Sequence, residues 1–199
     1  MKYTIEQAIP AQAERIAPLI MMAMDEDCCQ HFAGPRHTLD DFRRMMTRLV
    51  ARDDSQYSYR NTLVATTDSG DIAGIITAYD GGQLGPLREA FLQAAKEELG
   101  RDFTGIPDET EAGEYYIDSL AVHPEYRKQG IASALLREMI HRHGLQQPVG
   151  LLVDITHPWA ERLYLALGFR QVGTATWGGH QMKHLQYPAG QAPTTTKQP

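Results

Sequence analysis

The sequence is short of cysteine, of long apolar runs and of net positive charge, and each shortage removes a class of protein. Its only cysteines, Cys28 and Cys29, are adjacent, a spacing poorly suited to a relaxed disulfide. They read as reduced thiols in a fold that needs no disulfide framework. The longest apolar run, IAPLIMMAM at 16–24, falls far short of the ~20 residues of a membrane span. The opening stretch MKYTIEQAIP has no apolar signal-peptide core, so the expectation is a cytoplasmic protein with no membrane partner. A formal net charge of −6 provides no basic face for phosphate neutralisation, which argues against nucleic acid. The run Cys28-Cys29-Gln30-His31 contains metal-ligand types but has no second cluster at matching spacing, so no metal is expected.

What the 199 residues do have is a balance of 42% hydrophobic and 22% charged residues, that of one globular domain able to bury about 70% of its unfolded surface. The domain is expected over 1–187, with a polar tail at 188–199. The periodicities predict a short opening strand and a helix carrying Ile16, Leu19, Ile20 and Ala23 towards Asp25. A second helix follows, N-capped by Thr38, with Leu39, Phe42, Met45, Met46 and Leu49 on its apolar face. These two helices precede a β-hairpin built on TLVATT and DIAGIITAYD. A helix over Leu84 to Leu99 lies in an insertion at about 81–113. EYYIDSLAV and PVGLLVDI read as buried strands, HPWAERLYLALGF as a helix between them and a closing hairpin around Gly178-Gly179. Met21, Met22, Met24, Met45 and Met46 read as core filler or as walls of an adaptable pocket, Trp159 and Trp177 as packing with lining of a site the alternative, and His141 and His143 as helix-terminal residues whose charged form suits the dipole.

The stretch SLAVHPEYRKQGIASALLREMI, 119–140, changes period halfway. The strand ends at Val122, a turn carries Arg127, Lys128, Gln129 and Gly130, and a helix begins at Ile131. A glycine at a helix start lets consecutive amides approach an anion, and the helix dipole and two cations add positive charge. A solvated turn is the plain alternative. The stretch is neither a P-loop nor a dinucleotide-binding glycine motif, because it lacks the spacing of both.

Strand, RKQGIA, helix, strand, and a helix ending in LYLALGF closely resemble the GCN5-related N-acetyltransferase (GNAT) family. Its Arg/Gln-x-x-Gly-x-Gly/Ala signature falls on Arg127, Gly130 and Ala132. The resemblance is sharpest from Glu114 to Phe169. It implies an α/β (α+β) fold: a mixed, twisted central sheet flanked by helices, here with a helical insertion between strands 3 and 4. It also implies acetyl-CoA as cosubstrate, with its pyrophosphate on the amides of Gln129, Gly130, Ile131 and Ala132 beside Arg127 and Lys128. In the family the strand before the signature splays from the next one. The pantetheine arm would then lie in the gap against Leu120, Ala121 and Val122. Where many members have a cofactor-touching asparagine, this chain has His157.

Acetyl transfer to an amine needs the neutral nucleophile, and an alkylamine has a pKa near ~10.4, so a base is required. Glu114, Tyr116 and Asp118 alternate onto one strand face. Asp118 lies deeper, while the family's habit of placing its base at the start of this strand favours Glu114; a backbone cap and a solvated strand end are the plain readings of the two. Tyr164 matches the family tyrosine assigned as the acid for the departing thiolate. The acidic run Asp108, Glu109, Glu111 and Glu114 would attract a cationic small-molecule or peptide amine. The insertion that holds it is open to three roles: lid, specificity wall or homodimer contact. The leading reading is an N-acetyltransferase working through a ternary complex. Its rivals are a non-catalytic acyl-CoA-binding module on the same fold and an interaction protein.

Overall fold

A computed structural model of the chain describes residues 2–191, so the expected tail falls outside it from 192 onward. The elements run β1 (Tyr3–Gln7), α1 (Ala13–Met24), α2 (Glu26–Ala33), α3 (Leu39–Ala51), β2 (Thr62–Thr67), β3 (Ile72–Asp80), α4 (Leu84–Leu99), β4 (Tyr115–Val122), α5 (Ile131–His143), β5 (Val149–Asp154), α6 (Pro158–Ala166), β6 (Arg170–Trp177) and β7 (His180–Tyr187). Three helices, not two, precede the hairpin. Asp25 takes φ 71°, which ends α1, and its carboxylate accepts from the Cys28 amide at 2.8 Å, which starts α2. The two cysteines are thus helical, and Cys29 is buried. Thr38 caps α3 as expected, through a reciprocal pair of bonds with Asp41.

The seven strands form one mixed sheet in the order β1-β2-β3-β4-β5-β7-β6. Because side chains alternate along each strand, Val64 and Ile75 face α1, α2, α3 and α4, whereas Leu63, Ile76 and Leu151 face α5 and α6. Among the described residues only β4 and β5 pair in parallel, and they do so at just two positions, Tyr115 with Val149 and Tyr116 with Gly150. Beyond these, β4 stays with β3 as far as Val122 while β5 stays with β7 as far as Asp154. The sheet therefore splits into two leaves, and the opening expected between the strands holding Ile117 and Leu152 lies between them.

Glu114 pins the closed end of the split. It is 3% exposed. Its Oε1 accepts from the Thr110 hydroxyl at 2.7 Å, and its Oε2 bonds His184 Nε2 and accepts from Gln186 Nε2, both on β7 at 2.8 Å. The side chain crosses β5 at Gly150, where an added Cβ would stand 1.7 Å from Glu114 Oε2. Burial pushes this carboxyl's pKa up, but the bonds from His184, Thr110 and Gln186 outweigh it and hold the value below the ordinary one. Its stabilising contribution is thus present above an unfolded pKa of about 4.3 and is lost as pH falls through the lowered folded value.

Gly150→Ala is expected to push the Glu114 carboxylate off its three partners and to cost about 2–4 kcal/mol, the scale of a buried charge losing its hydrogen bonds. For a chain of this size that is a fall in Tm of roughly 5–15 °C at pH 7. Thermal unfolding followed by circular dichroism measures it, and the gap from the parent should narrow below pH 4.

Candidate active site

One end of the split leads to the start of α5. Gly130 takes φ 78°, and no atom lies within 4 Å of where its Cβ would be. It is the N-cap of α5 and supplies no side-chain bond, so the amides of Ile131, Ala132 and Ser133 have no partner within the helix. Lys128 also holds a left-handed conformation, φ 61°, which tightens the turn. Arg127 is exposed, and its Nε donates to the Val122 carbonyl at 3.2 Å, tying the turn to the end of β4. The turn is an open amide cradle bordered by two cations, the donor set an anionic diphosphate needs. Leu120 and Val122 lie half-buried and Ala121 buried along the same strand. His157 stands exposed at the start of α6, its ring edge-on to Trp159 at 6.0 Å. Trp159 is 64% exposed, not packed as expected.

At the other end of the split, β4 carries a bulge. Thr77 pairs with Ser119 and Ala78 with Ile117, which leaves Asp118 as the extra residue, two positions past the last β4–β5 pair. Its Oδ2 accepts from the Tyr79 hydroxyl at 3.1 Å and from Gln56 Nε2 at 3.2 Å. Glu109 Oε1 lies within bonding distance of the same two groups, at 3.3 Å and 3.4 Å. The Gln56 amide can donate to both carboxylates, whereas the single Tyr79 proton serves one at a time. Arg88, 7% exposed on α4, completes the cluster by donating to Glu109 Oε2, to Asp108 Oδ1 and to the Ile106 carbonyl. Burial raises the pKa of Asp118 and of Glu109, and for Glu109 the neighbouring Asp118 charge raises it further. Arg88 opposes both rises. Two like charges this close hold a proton between them more readily than either would alone.

The expected acidic cluster is therefore divided. Glu109 and Glu114 are buried in different networks, Asp108 is largely exposed, and Glu111 is exposed. Glu114 belongs to the pin between the leaves, while Asp118 borders the opening. Tyr164 packs on Phe169 at 5.8 Å, and burial pushes its phenol up to about 12. Among the described residues its hydroxyl makes no hydrogen bond. His143 stacks on Tyr115 at 3.5 Å, and burial lowers its pKa; the charged form expected at the end of α5 is disfavoured. Gln56, Tyr79 and Arg88 were not among the sequence candidates, and Glu109 entered only as one member of the acidic run. Arg88 did carry a signal: it sits on the apolar stripe of α4 between Leu84 and Phe91, and a cation on a buried stripe demands a buried anion.

Comparison with known proteins gives the arrangement a family. None of the curated protein sequences compared with the chain matches it significantly. An N-acetyltransferase from Staphylococcus aureus Mu50 superposes with a TM-score of 0.77 at 26% identity, over 92% of this chain and 99% of that one. A second acetyltransferase structure gives 0.74 at 26% identity, over 94% and 100%. The histone acetyltransferase HPA2 and related acetyltransferase from Corynebacterium glutamicum shares the fold at 18% identity and a TM-score of 0.64, over all of both chains. The sequence pattern of the acetyltransferase (GNAT) domain matches residues 58–171, more than half of the chain and all of the turn, the split and the carboxylate pair; the chain belongs to the GNAT acetyltransferase family.

Proposed function

We propose that the protein transfers an acetyl group from acetyl-CoA to a primary amine by direct attack in a ternary complex. The observation that carries this reading is that one split between strands joins an open amide cradle at α5 to a desolvated carboxylate pair at the β4 bulge. A donor and an acceptor entering from the two ends would meet within it. Acetyl-CoA supplies the activated thioester carbonyl. In this reading the amides of Gln129, Gly130, Ile131 and Ala132, with Arg127 and Lys128, hold its diphosphate. The backbone of Leu120, Ala121 and Val122 pairs with its amide-bearing arm as an added strand would, and His157 stands near its path.

An ammonium arriving at the Asp118–Glu109 pair must give up a proton before its nitrogen has a lone pair. Asp118 accepts that proton, with Glu109 raising its basicity by repulsion and Tyr79 and Gln56 fixing its orientation. The nitrogen then bonds to the acetyl carbon as the carbon–sulfur bond breaks. The nitrogen's second proton leaves through water, and the sulfur ends as a thiol. Tyr164, pushed up to about 12 by burial, is a poor full donor to a thiol of ordinary pKa near ~8.5. Its role is a hydrogen bond to the departing sulfur, with the proton itself supplied by solvent. Glu114, the base favoured by position in the sequence, is committed to three bonds, and here it serves as the anchor of the split.

Two expectations test this reading. Asp118→Asn should lower turnover by ~10²-fold or more and flatten the acidic limb of the pH–rate profile, with acetyl-CoA affinity unchanged. The sign of its stability effect is fixed: a carboxyl with a raised folded pKa loses stability as pH rises past its unfolded value. The variant should therefore melt a few degrees above the parent at pH 8 and gain nothing at pH 4. An inactive variant that is also less stable at pH 8 would mean that Asp118 is structural.

An added Cβ at Gly130 meets no atom within 4 Å, so Gly130→Leu should cost chiefly the φ strain of about 1–2 kcal/mol, while its side chain fills the mouth of the cradle. Calorimetric titration should find acetyl-CoA affinity reduced by ~10-fold or more in a folded protein. Unchanged affinity would rule the cradle out.

A further inference from the structure

Beside the carboxylate pair is a cleft whose lining the transfer chemistry does not explain. The Phe32, Tyr57, Phe91 and Trp177 rings wall it, and Gln56, Glu109 and the Arg88 guanidinium that Glu109 pairs are its polar floor. The rings meet edge to face, Phe32 with Phe91 at 5.1 Å and Tyr57 with Phe91 at 5.9 Å. Two polar atoms here are buried without a partner, Gln56 Oε1 and Trp177 Nε1. Gln56 is 3% exposed. Its Nε2 is committed to Glu109 and Asp118, which fixes the amide orientation and leaves Oε1 as an acceptor with no donor. A buried acceptor left unpaired costs about 1–3 kcal/mol, a cost that a ligand N–H removes.

The charge balance points the same way. Asp108 is 73% exposed in its side chain and keeps its water, so Arg88 alone faces two buried carboxylates, Glu109 and Asp118. With both carboxylates ionised the cluster lacks one positive charge, which a proton held between them or an arriving cation supplies. A single ammonium beside Gln56 Oε1 would supply both the missing charge and the missing donor. A second ammonium on the same ligand would be left among aromatic rings with no carboxylate to pair with.

The geometry points to this cleft as the acceptor site, taking a primary amine joined by a short chain to a flat aromatic or apolar group. The inference rests on the acetyl-transfer reading and narrows it to one substrate class, against polyamines and peptide lysines. The cleft encloses only about 10 Å³, room for roughly one water, so a ligand must displace a wall. The movable wall is Trp177. It stands at the tip of the β6–β7 hairpin, next to Gly178 and Gly179, which take φ 59° and 83° with no atom within 4 Å of either added Cβ. Its indole N–H makes no bond that would hold it in place.

The probes are 2-phenylethylamine, its neutral counterpart 2-phenylethanol, spermidine and lysine amide. Binding is read from the indole ¹⁵N–¹H resonance that Trp177→Phe removes, and turnover from thiol release. 2-Phenylethylamine should shift that resonance more than the alcohol, and its kcat/KM should exceed that of spermidine and of lysine amide by ~10-fold or more. Trp177→Ala should raise its KM by ~10-fold with acetyl-CoA affinity unchanged. If 2-phenylethylamine leaves the resonance in place while spermidine or lysine amide is acetylated efficiently, the substrate class is wrong and acetyl transfer stands. If 2-phenylethylamine shifts the resonance but no amine releases thiol, the ligand class of the cleft is upheld and acetyl transfer is overturned.

Discussion

The two residue pairs that join β4 to β5 are the constraint on which the rest of the molecule depends. A seven-stranded sheet that parts after two pairs leaves facing strand edges with unpaired backbone groups inside the fold, an arrangement proteins ordinarily avoid. Here each leaf compensates on its other side: β4 is paired with β3 as far as Val122, and β5 with β7 over its whole length. With so little holding the leaves together, the closed end needs reinforcement. Glu114 provides it, reaching across a glycine to two residues of β7.

The split also explains where the charges sit. At a bulge a strand can turn a side chain out of its alternation, and the bulge at Asp118 falls two residues past the last β4–β5 pair. Asp118 keeps the face it shares with Tyr116, where its carboxylate meets Tyr79 and Gln56, and the inserted residue puts Ser119 on that face as well, opposite Thr77. The second carboxylate comes from the insertion, and Arg88 on α4 holds it in place. A lone buried carboxylate would take up a proton or find a cation; two, sharing donors, retain a poised proton.

Much of this architecture could be read from periodicity and punctuation. The hairpin, the Leu84 to Leu99 helix, the Thr38 cap and the glycine turn before Ile131 follow from local patterns that the chain also obeys in three dimensions. The break at Asp25 was hidden because a non-glycine residue at φ 71° has no compositional mark when its neighbours continue a helical pattern. The bulge was hidden for a related reason: an inserted residue changes register without changing composition. Simple alternation therefore put Glu114 and Asp118 on an equal footing, whereas pairing separates them into an anchor and a bulge. Gln56 offered no signal at all, since its importance comes from two partners 53 and 62 residues away.

The two ends of the split are built from different materials, and this bears on how such a protein changes specificity. The cradle at α5 depends on backbone amides, a glycine and a helix dipole, none of which identifies an acceptor. The other end depends on side chains, and Arg88 and Glu109 belong to the segment between β3 and β4, with Trp177 at a hairpin tip. In the proposed reading, substitutions in that segment and at that tip would alter which amine is accepted without disturbing the donor end. Glu114 limits this freedom. It lies where the segment returns to the sheet, and the Thr110 bond ties the segment to the pin between the leaves. In that reading, changes at Arg88 or Glu109 reach the acceptor end and the basicity of Asp118 but leave the donor end alone, whereas changes from Thr110 onward also loosen the junction that keeps the split in shape.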